Sequence, residues 1–193
     1  MMGFDREQAW SIVCEFVQSD SLRKHMLAVE AAMAWYAADF GQDPTEWQLA
    51  GLLHDFDWEI HPTLAQHPQA GAAILRSRGV PEHLITAILS HADHLAVPRS
   101  TLLEKTLYAC DELTGLITAA VLVRPSRSIY DLTVPSIKKK WKDKAFAAGV
   151  KRSDVEAGAQ ALGIELWLHV ANVIAGMQAA APQLGLVGTL SPL

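Results

Sequence analysis

Among 193 residues there are only two cysteines, Cys14 and Cys110. A disulfide framework is therefore excluded, and a reducing compartment fits. Basic residues are also in short supply, 16 Lys and Arg against 21 Asp and Glu, for a net charge of -5. General affinity for nucleic acid needs a basic surface that displaces counterions from phosphates, so that class of partner is not expected. Long apolar runs are missing as well. The longest, residues 113–123, is interrupted by Thr114, Gly115 and Thr118 and is too short to span a bilayer. The opening residues, Met1-Met2-Gly3-Phe4-Asp5-Arg6-Glu7, carry acidic groups where a secretory leader is basic and then apolar. Glycine and proline, 12 and 9 copies, are too sparse for a disordered chain. Repeats, low-complexity tracts and convincing strands are absent from the pattern. The expectation is a cytoplasmic protein with no membrane partner, its oligomeric state left open.

What is present is apolar and helical. Half of the residues are hydrophobic, enough at this length to bury a real core, and the simplest organisation is one globular domain over residues 1–193. Asp5 can cap a first helix with Trp10, Val13, Cys14 and Val17 on one face. Ser21 can cap a second, whose buried stripe reads Leu22, His25, Met26, Val29, Met33 and Tyr36. Asp43-Pro44 starts a third, running to Leu52-Leu53-His54-Asp55. Pro68 and Pro81 open two more. Pro98-Arg99-Ser100 reads as a loop with a capping serine, before the most apolar helix, residues 101–123. Residues 124–135 read as a mobile loop and residues 136–148 as a short lysine-rich helix. Ser153 is expected to cap one long final helix to about Ala181, with Val155, Leu162, Leu166, Val170 and Val173 as its seam. The architecture is all-α, a compact helical bundle.

The residues able to carry chemistry cluster. A helix that buries leucines and then presents His54 and Asp55 together brings two hard-to-bury groups to one place, and a divalent metal is the usual compensation. Six of the eight histidines, His54, His61, His67, His83, His91 and His94, fall between the third helix and the loop at Pro98. His25 sits in an apolar helix face, and Asp111 lies in the most apolar helix of the chain. Such nitrogen and oxygen donors suit Mn, Fe, Co, Ni or Zn better than Ca. Gly51 and Ala50, one turn before His54, are expected to leave room beside its imidazole.

In order, His25, Leu52-Leu53-His54-Asp55, Gln66-His67-Pro68, Ser90-His91 and Ala109-Cys110-Asp111-Glu112-Leu113 resemble the HD superfamily of metal-dependent phosphohydrolases. The resemblance covers about residues 21–123 and leaves residues 124–193 as a helical extension. It implies that His25, His54, Asp55 and Asp111 hold a first metal, that His67 and His91 add a second, and that Asp55 bridges the two. The departures are specific. The common continuation HD-x-G-K is replaced by His54-Asp55-Phe56-Asp57-Trp58, so the phosphate-binding lysine is a tryptophan. The Gly-Tyr-Pro signature of cyclic-dinucleotide phosphodiesterases does not follow His91.

The activity implied is hydrolysis of a small phosphorylated substrate, such as a nucleotide, by metal-activated water. Asp57 or Glu59 is the candidate general base, or a group orienting an imidazole, beside the catalytic metal-bridging Asp55. Replacement for the missing lysine is sought in Lys138 to Lys144, with Arg124 and Arg127, and Trp58 is the tryptophan placed to cover the pocket. Two alternatives keep the same scaffold: a di-iron oxygenase, and a non-catalytic regulatory module that binds metal or ligand.

Overall fold

Asp5 opens the first helix in the way its position predicts. Its carboxylate accepts the Gln8 backbone N–H and its own N–H donates to the Gln8 side chain, each at 2.9 Å, giving α1 over Arg6–Phe16. The computed structural model describes residues 3–190. Met1 and Met2, part of the N-terminal reading, and residues 191–193 lie outside it. Nine further α-helices follow among the described residues, with no strand: α2 Asp20–Asp39, α3 Pro44–Leu53, α4 Gln69–Ser77, α5 Glu82–Ser90, α6 Leu102–Leu122, α7 Val134–Trp141, α8 Arg152–Leu162, α9 Leu166–Ala179 and α10 Ala181–Leu184. A 3-10 turn at Asp93–Leu95 joins α5 to the loop before α6.

Several boundaries differ from the sequence expectation, each for a local reason. α2 is capped by Ser19, whose hydroxyl accepts the Leu22 N–H, and not by Ser21. α6 is capped by Thr101 in a reciprocal pair with Glu104, which also takes the Ser100 N–H, so Ser100 is not the cap. The single long C-terminal helix expected to about Ala181 is two helices, α8 and α9, with the short α10 following from Ala181. Gly163 adopts a left-handed conformation, φ 70°, that ends α8, and the Glu165 carboxylate then accepts the Trp167 and Leu168 N–H groups to start α9. Of the expected seam, Val155, Leu166, Val170 and Val173 pack into the core on both sides of this break and Leu162 does not, because apolar spacing reports which face is buried and not whether the backbone is continuous. Residues 124–133 are a pinned loop, and α7 begins at Val134. Ile129 is fully buried and its N–H donates to the Leu186 carbonyl at 2.8 Å, while Arg124 pairs with Asp131.

α2 is the centre of the bundle, packed on α3, α6 and α9. Two features draw the helices close. At Gly51 of α3 a Cβ would stand 2.8 Å from the backbone N of Glu30 in α2, so the absent side chain lets the backbones approach. The room expected beside His54 at this glycine is thus filled by α2. At Gly158 of α8 a Cβ would come within 2.5 Å of Ala109 Cα in α6. At the same α6 residue the buried His169 of α9 donates from Nε2 to the Ala109 carbonyl at 2.9 Å and accepts from the Tyr36 hydroxyl at 2.6 Å. Burial holds His169 below the ordinary histidine pKa, consistent with a neutral ring serving as a strut. α6 is therefore gripped by α8 and α9 two residues before Asp111.

Gly158→Ala tests that grip. Helix propensity alone favours alanine by about 1 kcal/mol, whereas overpacking costs about 1–3 kcal/mol. The expected result is a net loss of stability in a thermal melt, with metal content per folded chain retained.

Candidate metal centre

Each donor comes from a different part of the bundle. His25 lies in α2, His54 and Asp55 follow the last turn of α3, His67 precedes α4, His91 ends α5, and Asp111 lies midway along α6. His25, His54, Asp55 and Asp111 converge tightly. His25 Nε2 stands 3.0 Å from Asp111 Oδ1 and 3.2 Å from His54 Nε2, and His54 Nε2 is 3.4 Å from Asp111 Oδ1. Asp55 Oδ2 completes the group at 3.6 and 3.7 Å from His54 and His25. The other oxygen of the same carboxylate faces elsewhere: Asp55 Oδ1 is 3.2 Å from His67 Nε2 and 3.5 Å from His91 Nε2, which are 3.3 Å apart. Donors bound at about 2.1 Å to one ion stand roughly 3.0–3.5 Å from each other, so both spacings suit a shared cation.

Residues 22–116 match the family model described as the HD domain. They are an HD domain. No solved structure matches the chain significantly.

The tautomers of the HD domain's histidines agree with the spacing. Carbonyls only accept, so the His54 Nδ1 bonded to the Gly51 carbonyl at 2.8 Å and the His91 Nδ1 bonded to the Ile88 carbonyl at 2.5 Å must carry protons. His67 Nδ1 likewise donates to the buried Asp57 carboxylate at 2.8 Å. Thr114 spends its hydroxyl proton on the Asp111 carbonyl, which leaves its oxygen to accept from His25 Nδ1 at 3.3 Å. In the neutral rings all four Nε2 atoms then present lone pairs to one another and to two carboxylates. That arrangement repels itself unless cations sit among the donors or the rings take up protons. The donor set therefore fits one or two divalent ions: four groups around His25, His54, Asp55 and Asp111, and three around Asp55, His67 and His91.

The same electrostatics appears as proton affinities. Burial pushes the Asp55 and Asp111 carboxyls up, yet the imidazoles around them hold both well below the usual carboxylate range. Burial pulls His54, His67 and His91 down, and the carboxylates more than reverse it, lifting His67 to about 9.

His54 is wholly buried, whereas the other five donors line a cleft of about 450 Å³. Trp58 and Leu64 flank its mouth, Tyr108 and Val150 form further walls, and His94 lies on its rim. Trp58 covers the second set edge-on, its ring 4.9 Å from that of His67.

Other expected site residues are not brought to the cleft. Glu59 accepts the N–H groups of Gln18 and Ser19, both at 2.8 Å, and so anchors the start of α2. It does not line the cleft, which removes it as general base. Asp57 is fully buried behind His67, bonded to its Nδ1 and to the Gly71 N–H at 3.1 Å, and fits the orienting role and not the general base. His61 and His83 lie outside, the latter exposed and paired with Glu46.

The lysine-rich segment does not supply the missing cation. Lys138 lies over the Trp167 ring and Lys140 over Phe146, and none of the lysines from 138 to 144 lines the cleft. Lys151, just before α8, does. It is positioned by Arg152, whose guanidinium donates to the carbonyls of Trp141, Asp143, Phe146 and Val150 and so knots the loop into shape. An arginine serving backbone carbonyls leaves no periodic signature, and sequence reasoning had no means of finding this arrangement.

Proposed function

We propose that this protein is a metal-dependent phosphohydrolase acting on a small phosphoester. The observation that carries the reading is the division of Asp55: one carboxylate oxygen faces His25 and His54, the other faces His67 and His91. An HD domain with two such groups supports metal-assisted hydrolysis.

Bound divalent ions supply positive charge against phosphoryl oxygens and bring the pKa of water toward neutrality. The residues of the chain do the rest. Asp55 ties the two donor groups together at the floor of the cleft. Thr114, the Gly51 and Ile88 carbonyls and Asp57 each hold one Nδ1 proton, which keeps every Nε2 aimed inward. Three donors in the second group leave room for a water or a phosphoryl oxygen. Lys151 offers an ammonium at the cleft wall for the phosphoryl charge, and Trp58 shields the second group from bulk water. Water adds to phosphorus, the ester P–O bond breaks, and the alcohol leaves with a proton from that water.

Protein purified without added metal is expected to contain nearly two transition-metal ions per chain by elemental analysis, and to release phosphate from a phosphomonoester panel with Mn, Co or Ni. An iron pair with oxygen-dependent turnover would replace this reading with an oxygenase. Metal retention with no release across the panel would replace it with a binding module.

A further inference from the structure

Five glycines lie inside helices, and packing accounts for four of them. A Cβ at Gly51, Gly71, Gly158 or Gly176 would stand 3.0 Å or less from atoms of a neighbouring element. Gly115 differs. It sits within α6, one turn beyond Asp111, and a Cβ there would meet only Val150 Cγ2, at an ordinary 3.8 Å. Glycine within a helix weakens it relative to alanine, so at Gly115 stability is given up with no packing reason. What the missing side chain leaves is space. Gly115 and His25 line both the metal cleft and a second cavity of about 430 Å³, whose other walls include Lys24, Thr118, Leu122 and Leu186.

Charge limits what can fill that space. Beyond the metal donors the cleft carries the carboxylates of Asp93, Glu112 and Asp154 against one ammonium, Lys151. Asp93 is matched by Arg99 and the Tyr108 hydroxyl. Lys151 is shared already, its Nζ 3.8 Å from Asp154 and its backbone N–H on Glu112. A second or third phosphate reaching past the metal donors would meet Glu112 and Asp154 with like charge, and the one ammonium of the second cavity, Lys24, is already paired with Asp20 at 2.7 Å. The walls beside Gly115 are instead Val150, Thr118 and Leu122, which suit an uncharged group.

Resting on the hydrolase reading for the position of the phosphoryl group, we propose that the cleft takes a substrate with a single phosphoryl group whose uncharged organic part lies over Gly115, against Val150. Gly115 then sets the size of that organic part, and Glu112 and Asp154 reject polyphosphates.

The test is equilibrium binding to the metal-loaded full chain of phenylphosphonate, inorganic phosphate and methylenediphosphonate, none of which loses a phosphoryl group to water, with metal content checked after each titration. Phenylphosphonate is expected to bind at least tenfold more tightly than methylenediphosphonate. Gly115→Leu should keep its metal, bind inorganic phosphate within about twofold of the parent, and lose phenylphosphonate affinity at least tenfold. Gly115→Ala, which retains helix and packing, should melt higher than the parent and show a smaller loss of the same sign. Glu112→Gln combined with Asp154→Asn should narrow the penalty on methylenediphosphonate several-fold. Equal or tighter binding of methylenediphosphonate, unchanged phenylphosphonate binding in both Gly115 variants, or no binding of any probe overturns the proposal. Binding in the expected order without phosphate release from any ester defeats the hydrolase reading alone, and efficient release from triphosphates defeats this proposal alone.

Discussion

Asp55→Ala is expected to empty both ion positions at once. Each donor group contains one oxygen of this carboxylate, so a single substitution takes the first group from four donors to three and the second from three to two. Removing a donor from only one group should behave differently: His54→Ala loses the first ion, and His91→Ala takes the stoichiometry from two to one. Metal-ion charge stabilisation of a phosphoryl transition state is worth several kcal/mol, and each 1.4 kcal/mol is tenfold in rate, so phosphate release should fall by at least about 10³-fold in Asp55→Ala. Elemental analysis of the purified variants reads the stoichiometry directly. His83→Ala is the control, because that ring lies outside the cleft on Glu46, and it should keep full metal and activity. An Asp55→Ala protein that retains two ions would mean that this carboxylate does not join the groups.

Asp57→Ala carries the second large effect, through a residue that lies behind a metal-binding histidine and does not line the cleft itself. Asp57 is fully buried and its two oxygens satisfy two buried donors, His67 Nδ1 and the Gly71 N–H. Truncation leaves both unpaired and frees the His67 ring to rotate or to change tautomer. Losing one partner of a buried charge pair costs about 3–5 kcal/mol, and losing the group that orients a metal-binding histidine costs about 10–100-fold in metal affinity. The expected outcome is a marked drop in the melting temperature of metal-free protein, together with selective weakening at the His67 and His91 group in a metal titration. Asp57→Asn keeps an acceptor for one donor but cannot accept from both, and should fall between. If stability drops and second-ion affinity holds, Asp57 supports the fold and does not aim the imidazole. Gly71 belongs to the same device, because a Cβ there would lie 2.5 Å from the Asp57 carboxyl carbon.

Much of this was legible in the chain. The caps at Asp5 and Asp43 are local hydrogen bonds between residues two or three apart, and local bonds are written in local sequence. The buried stripe of α2 and the apolar α6 follow from helical spacing. The order His25, His54-Asp55, Asp111 points to an HD domain because each motif sits at a recognisable place on its helix. The boundaries that differed have two causes. Ser19 prevails over Ser21 where Glu59, forty residues on, accepts the Ser19 N–H, a partner that spacing does not reveal. Thr101 with Glu104, and Gly163 with Glu165, are local signals that an apolar face running past them hides.

The glycines make the same point in reverse. Gly51 was the natural candidate for space beside the metal donors, since it precedes His54 by one turn, yet the α2 backbone occupies that space. Gly115 looked like an interruption of an apolar run, and it is the glycine with nothing packed on it. Lysine-rich residues 138–144 offered the most positive charge, yet two of them lie over aromatic rings and none lines the cleft, which Lys151 does.

The amino-acid sequence by itself determined the helical class, the helix starts at Asp5, Asp43, Pro68 and Pro81 and the set of residues able to bind metal, because capping, periodicity and side-chain chemistry are properties of neighbouring residues. Only the tertiary structure decided that the two oxygens of Asp55 face different histidine pairs, that Asp57 stands behind His67 while Glu59 anchors α2, and that space opens at Gly115. Those outcomes depend on the angles at which α2, α3 and α6 cross, and the angles are set by side chains and missing side chains that meet from distant parts of the chain.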